Sequence, residues 1–206
     1  HPLPNYDTKP ERPYITFLEG VKELAKEYDC AAEYVKGAEI NEAIAGGIAT
    51  AAKAAEKADV ILFACGDNIE LAAEGRDRAD MRLPEAQREL FGALCKAGKP
   101  IVTALICTKP LCAPEIDEGS AAVLTNFNGG MFGGLALAEV IFGAINPCGK
   151  LPVSFPYHVG QQPCYYNQLP GWHCRNYVDM PETPLYGFGH GLSYTKFAYS
   201  NLAFDE

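Results

Sequence analysis

Two kinds of segment alternate along most of the chain: short apolar runs and amphipathic stretches with apolar residues three or four apart. "ITFLEGVKELAKEY" (15–28) has the helical spacing, and "NEAIAGGIATAAKAAEKA" (41–58) reads as an alanine-rich helix with Asn41 as its N-cap. "PEAQRELFGALCKAG" is a third helix, with Pro84 at its first turn and Gly98 as its stop. A short helical turn is expected over 114–118, and a last helix over "GGLALAEVIFGAI". Between these lie "AAEYVKG", "DVILFACG", "PIVTALIC" and "AAVLTNF", read as strands, and "KLPVSFP", whose Pro152 marks it as an edge strand.

Strands that are apolar throughout and alternate with helices predict an α/β fold, a three-layer α/β/α sandwich around a mostly parallel sheet. That domain is assigned to residues 1–156, its regular elements starting near 15. After Pro156 the chain becomes rich in Pro, Gly and aromatic residues with little periodicity, and "TKFAYSNLAFDE" then alternates like a strand. Residues 157–206 therefore read as a loop-rich connector followed by the first strand of a β-domain. In open α/β sheets ligands meet the loops that leave the carboxyl ends of the strands. The polar stretch "LAAEGRDRADMRLP" (71–84) leaves the carboxyl end of "DVILFACG", so chemistry is expected there.

Composition narrows the picture. Apolar residues make up 48% and charged residues 21% of 206 positions, ordinary for a globular chain. The net charge of −9 argues against nucleic acid as a partner, because phosphate neutralisation needs clustered Lys and Arg. No apolar run approaches the roughly 20 residues that span a bilayer. The start "HPLPNYDTKPERP", without Met or leader, reads as the interior of a longer protein. Of the eight cysteines, Cys65, Cys95 and Cys107 sit in apolar runs and read as buried thiols; Cys164 and Cys174 are the pair placed to bridge. Reduced thiols and a cytoplasmic setting are the expectation, with secretion left open.

Several chemistries lack their signatures. There is no GxGxxG after a strand, no GxxxxGK[ST], no GxSxG and no HExxH, so no cofactor and no metal are expected. "NGGMFGG" (128–134) reads as a tight strand-to-helix turn in preference to an anion-binding nest, and His190 in "FGHGLSY" as a hydrogen-bonded turn residue. What remains is the charged stretch itself, where Glu70, Glu74, Asp77 and Asp80 alternate with Arg76, Arg78 and Arg82. A solvated surface loop is the plain reading of such a run.

The wider string "ADVILFACGDN…EGRDRADMRLPEAQRELFGAL", continued by "GKPIVTALI", resembles the second, α/β/α domain of family 3 glycoside hydrolases, the β-glucosidase and β-xylosidase family. "FNGGMFGGLALAEVIFGAINPCGKLPVSFP" is similar to the family's segment ending in NPSGKLPVTFP, and "PLYGFGHGLSYTKFAYSNL" to its link into a fibronectin type III-like domain. The likeness covers nearly the whole chain, roughly residues 10 to 204. It departs at "GGMFGG", where the family often has a polar Pro-Gly-Gln-Glu-Gly-Gly turn, and nothing here resembles the family's N-terminal barrel.

The resemblance implies a retaining, exo-acting β-glycosidase acting on a β-linked oligosaccharide or glycoside. Such enzymes need two carboxyl groups about 5–5.5 Å apart, one a nucleophile and one an acid/base. It implies a partner barrel domain carrying the nucleophilic Asp, and Glu74, in "EGRDR", as the acid/base, with Glu70 the runner-up. Without a nucleophile these 206 residues alone are expected to be inactive. A proton donor needs the arginines turned away from it, and Arg78 pairing with Asp77 or Asp80 would achieve this. Asp77 and Arg78 are expected to order the loop sooner than to touch sugar, and Gly75 to allow a sharp turn beside the acid. The alternatives are a non-catalytic sugar-binding or interaction module of the same fold and a nucleotide-binding α/β protein. Sugar choice stays open, with a lean to xylosidase-like members, as does a homo-oligomer.

Overall fold

In the computed structural model, which describes residues 14–167 and 177–204, the chain order is α1 (Phe17–Glu27), α2 (Gly47–Ala55), β1 (Ile61–Gly66), α3 (Glu85–Cys95), β2 (Ile101–Ile106), α4 (Pro114–Gly119), β3 (Ala122–Asn126) and α5 (Gly133–Ile141). The strands form one parallel sheet in the order β1-β2-β3, with Ile61 opposite Ile101 and Val102 opposite Ala122. Alternate residues of a strand point to opposite faces, which decides the layers. Ile61, Phe63 and Cys65 pack with α2 and α3 through Ala51, Ala55, Leu90, Phe91 and Leu94. Leu62 packs on the other side, with Val21 and Leu24 of α1 and Ala138 of α5. The expected α/β/α sandwich is present, with β1–β2–β3 as its described sheet.

Local chemistry starts the helices. Thr16 caps α1 by accepting from the Glu19 amide at 3.2 Å, while the Glu19 carboxylate accepts from the Thr16 amide at 2.8 Å, a reciprocal capping box. α2 starts later than its apolar pattern predicts: Gly46, at φ 71°, is the N-cap, and Asn41 lies five residues upstream with its side chain committed elsewhere. Residues 38–43 fold back on themselves, with an Ala38–Ala43 bridge and the Glu39 amide bonded to the Glu42 carbonyl at 2.9 Å. The alanine-rich pattern had no means of showing this, since the overriding contacts come from distant sequence. Pro84 is the N-cap of α3, one position earlier than expected.

"AAEYVKG" and "KLPVSFP" do not form ladder strands. Val35 packs on the core without strand pairing, and Phe155 makes a single bridge to Tyr186, its amide bonded to the Tyr186 carbonyl at 2.8 Å. Phe155 is nonetheless fully buried, between the rings of Phe127 and Tyr186, so the connector is stitched back onto the sandwich. His190 lies in a turn, its amide on the Gly187 carbonyl at 3.1 Å. Residues 195–204 carry no regular structure and are exposed. "NGGMFGG" becomes a 3-10 turn over Gly130–Phe132 leading into α5, tied by Asn126 Nδ2 to the Gly133 carbonyl.

Cys65, Cys107 and Cys112 are buried free thiols; Cys95, expected inside, lies exposed on α3, and Cys174 lies outside the described residues, so the Cys164–Cys174 pairing does too. Burial pushes the Cys107 and Cys112 thiols up to about 11 and raises Cys65 as well. Because the thiolate is the nucleophile, iodoacetamide at about pH 8 is expected to leave these three unmodified in the native protein and to reach them in denaturant. Peptide mapping checks this, and native labelling of Cys107 would show that the end of β2 is open.

Candidate active site

The carboxyl ends of the three strands lie side by side, and the loop after β1 (67–84) is the longest of those leaving them. Its root is a knot around one buried amide. Gln87, on the inner face of α3 and 5% exposed, accepts from the Gly66 amide at 2.8 Å and donates to the Gly66 carbonyl at 2.8 Å and the Ile40 carbonyl at 2.7 Å. Gly66 immediately precedes the loop and Gln87 follows its end, so this side chain closes the loop's base. A buried polar group with every hydrogen bond made holds geometry, since breaking any one strands its partner.

Further pins follow along the loop. The Asp67 carboxylate accepts from the Thr108 amide and hydroxyl at 3.0 and 3.1 Å, joining the loops after β1 and β2. The Asn68 side-chain oxygen accepts from the amides of Glu70 and Leu71. Ala72 and Leu83 are buried, and the Cys112 amide donates to the Met81 carbonyl at 2.9 Å. Lys109 Nζ donates to the Arg76 carbonyl at 3.1 Å. The loop is a braced arm.

Glu74 stands at its tip. Ala73–Arg76 is a four-residue turn closed by the Arg76 amide on the Ala73 carbonyl at 3.0 Å, with Gly75 at φ 71° in its third position. That backbone angle favours glycine, and a Cβ there would meet open space. Glu74 is exposed, and its carboxylate has no hydrogen-bond partner among the described residues. Glu70 is different: Oε2 accepts from Asn41 Nδ2 at 2.7 Å, which holds this carboxylate against the body of the domain. Asp77 is exposed at the surface.

All three arginines of the arm are committed away from Glu74. Arg76 Nη1 donates to the Glu70 carbonyl at 3.1 Å, and Arg78 Nη2 to the Arg82 carbonyl at 2.7 Å. Arg82 grips Asp80 bidentately, Nη2 to Oδ2 at 2.6 Å and Nε to Oδ1 at 3.0 Å, and its amide also donates to Oδ1 at 2.9 Å. These bonds to Arg82, with the nearby Arg78 charge adding to them, hold the Asp80 carboxyl well below the usual carboxylate range. The expected pairing of Arg78 with Asp77 or Asp80 is not among the ion pairs of the described residues; Arg82 takes Asp80 instead, two residues apart where both groups reach one turn. Arg78 instead bonds to the loop backbone, at the Arg82 carbonyl.

With that geometry in place, the relatives decide the family. The model of the glycosyl hydrolase family 3 C-terminal domain matches residues 3–194. The chain belongs to glycosyl hydrolase family 3. It is 39% identical to a beta-xylosidase of Formosa agariphila over 94% of this chain and 27% of that protein, and 40% identical to a periplasmic beta-glucosidase of Salmonella typhimurium over 74% and 21%. A solved β-glucosidase from Erythrobacter marinus superposes with a TM-score of 0.85 at 37% identity, covering 92% of this chain and 29% of that one. A Listeria innocua beta-glucosidase gives a TM-score of 0.78 at 33% identity, covering 89% and 26%. The chain thus spans about a quarter of the length of these relatives, and it is their family 3 C-terminal domain that it matches.

The candidate acids were legible as charges in a loop after an apolar strand. Asp67, Gln87 and Lys109 carry no such sign, and Asn41 has the look of an N-cap, yet all four brace the arm. One signal was available: Gln87 falls on the apolar stripe of α3, and a polar residue at an inward position needs partners there.

Proposed function

We propose that this family 3 domain is part of a retaining, exo-acting β-glycosidase of the β-glucosidase or β-xylosidase kind, cutting terminal non-reducing sugars. Glu74 supplies the proton to the leaving oxygen and later serves as the base that activates water. The nucleophilic carboxylate comes from a barrel domain of the complete enzyme, and residues 157–206 lead into a fibronectin type III-like domain. The observation that carries the reading is the placement of Glu74: a carboxylate at the tip of a braced arm, exposed, with Arg76, Arg78 and Arg82 all bonded elsewhere. An acid that must reach a partner domain belongs at such a tip, and it must not be tied up by guanidinium groups. The names of the relatives, beta-xylosidase and beta-glucosidase, support the substrate class.

The chemistry proceeds in two balanced steps. The barrel carboxylate attacks the anomeric carbon as the glycosidic C–O bond breaks, and the Glu74 proton passes to the departing oxygen. Water then attacks the anomeric carbon, its proton passes to Glu74, and the barrel carboxylate leaves. The test is Glu74→Gly in the complete enzyme with a dinitrophenyl β-glycoside, whose leaving group needs no proton. Azide, a nucleophile that needs no base, is expected to raise turnover at least about tenfold and to give the β-glycosyl azide. An unchanged rate with azide, beside rescue of Glu70→Gly, would move the acid/base role to Glu70.

A further inference from the structure

We propose that Glu70 and Asn41 form the latch that aims the arm, Glu70 being a positioning residue that acts through its backbone on the turn bearing Glu74. This rests on the acid/base reading of Glu74. Four residues before Glu74, the Glu70 carboxylate accepts from Asn41 Nδ2 at 2.7 Å, a contact between residues 29 apart. Its own carbonyl accepts from Arg76 Nη1 at 3.1 Å, and Arg76 closes the turn around Glu74 and Gly75. Side chain to the body, main chain to the turn: Glu70 is the one residue of the arm that makes both connections on either side of the acid.

The anchor is itself fixed. Asn41 lies in the folded-back segment 38–43, whose Ile40 carbonyl is held by the same Gln87 amide that closes the base of the arm. The Asn68 side-chain oxygen also lies 3.4 Å from Asn41 Nδ2 and accepts from the Glu70 amide at 3.2 Å, so the latch is tied at the backbone as well. A second observation bears on the arrangement: Asn41 Nδ2 faces the oxygens of Glu70 and Asn68, while Asn41 Oδ1 is buried without a hydrogen-bond partner among the described residues. A carboxylate only accepts, so the Asn41 amide presents its NH2 to Glu70 and leaves its buried oxygen unpaired. Tolerating an unpaired buried acceptor is costly, and the carboxylate contact is what offsets it.

The chemical consequence is specific. An arm loosened at Glu70 leaves Glu74 intact but misplaced, and misplacement by about 1 Å can cost on the order of 100-fold in rate. Up to the glycosyl-enzyme only proton delivery suffers, so the loss in kcat/KM falls on substrates with poor leaving groups. In the complete enzyme, Asn41→Ala and Glu70→Ala are each expected to lower kcat/KM for an alkyl β-glycoside by about 10- to 100-fold while leaving the dinitrophenyl glycoside within about threefold. The double variant should be no worse than the worse single one, since both remove one contact. Glu70→Gln should recover most of the loss, because an amide accepts from Asn41 Nδ2 and also donates to the unpaired Oδ1.

Equal losses on both substrates would overturn the latch and reduce it to a stability contact. So would additive losses in the double variant, or a Glu70→Gln variant as impaired as Glu70→Ala. Glu74→Gln in parallel separates the two readings. A severe Glu74→Gln effect beside unaffected Asn41→Ala and Glu70→Ala sinks the latch alone, whereas a harmless Glu74→Gln sinks the acid/base assignment itself.

Discussion

Glu74→Gln in the complete enzyme is expected to lower kcat/KM for an alkyl or disaccharide substrate by about 1,000-fold, within the 10²–10⁴ that general acid–base catalysis contributes. The amide keeps the shape and exposure of the side chain at the tip of the Ala73–Arg76 turn but has no proton to give. A dinitrophenyl glycoside tests the assignment from the other side. Its leaving group departs without a proton, so its kcat/KM should fall by less than about tenfold. Its kcat should fall further, because the second step has lost its base, and KM should fall with it as the glycosyl-enzyme accumulates. The alkaline limb of the kcat/KM profile for the alkyl substrate should vanish, since that limb is the loss of the acid's proton. Retention of the alkaline limb, or equal losses on both substrates, would sink the assignment.

Gly66→Ala is expected to do the comparable damage to the fold. Gly66 ends β1 at φ 149°, and a Cβ built there would stand 1.6 Å from the Ile106 carbonyl oxygen and 2.5 Å from its carbon. Those atoms are backbone of β2, paired with Gly66 itself in the parallel ladder, so nothing flexible can yield. Separation of the strand ends would also break both Gly66 bonds to Gln87 and release the root of the arm. A cost above about 4 kcal/mol is expected, among the largest single-residue effects. At about 2–4 °C per kcal/mol that lowers the melting temperature of the domain by about 10 °C or leaves it insoluble. Gly75→Ala is the control: φ is 71° there too, but the space is open, so only the backbone strain of about 1–2 kcal/mol applies. Similar melting temperatures for the two variants would show that the close approach at Gly66 is relaxed in solution.

Much of this architecture was legible because burial imposes period. β1, β2 and β3 read as continuous apolar runs because a parallel sheet is covered on both faces, and α1, α3 and α5 read from their apolar stripes. The errors cluster where long-range contacts outweigh local preference. Asn41 has the composition of an N-cap, yet its amide is drawn 29 positions down the chain to Glu70. "KLPVSFP" has strand character, yet its backbone bonds to the 186–190 segment come at Leu151 and Phe155, four residues apart, and build no ladder. Arg78 and Arg82 look equivalent as charges near Asp80. The turn geometry alone puts both Nε and Nη2 of Arg82 on that carboxylate.

By itself, then, the amino-acid sequence determined the alternation of helix and strand, the layered class of the domain, the place of the charged loop at a strand's carboxyl end, and through its motifs the resemblance to family 3. Those properties follow from local propensity and from the spacing of apolar residues, both of which are written along the chain. Tertiary structure alone decided which acids are free and which are tethered. Glu70 and Glu74 are the same residue type four positions apart; one is bound to Asn41 and the other stands at a turn with every neighbouring arginine engaged elsewhere. That difference is made by partners 29 residues upstream and by a glutamine beyond the loop's far end, and contacts of that range leave no period in the sequence.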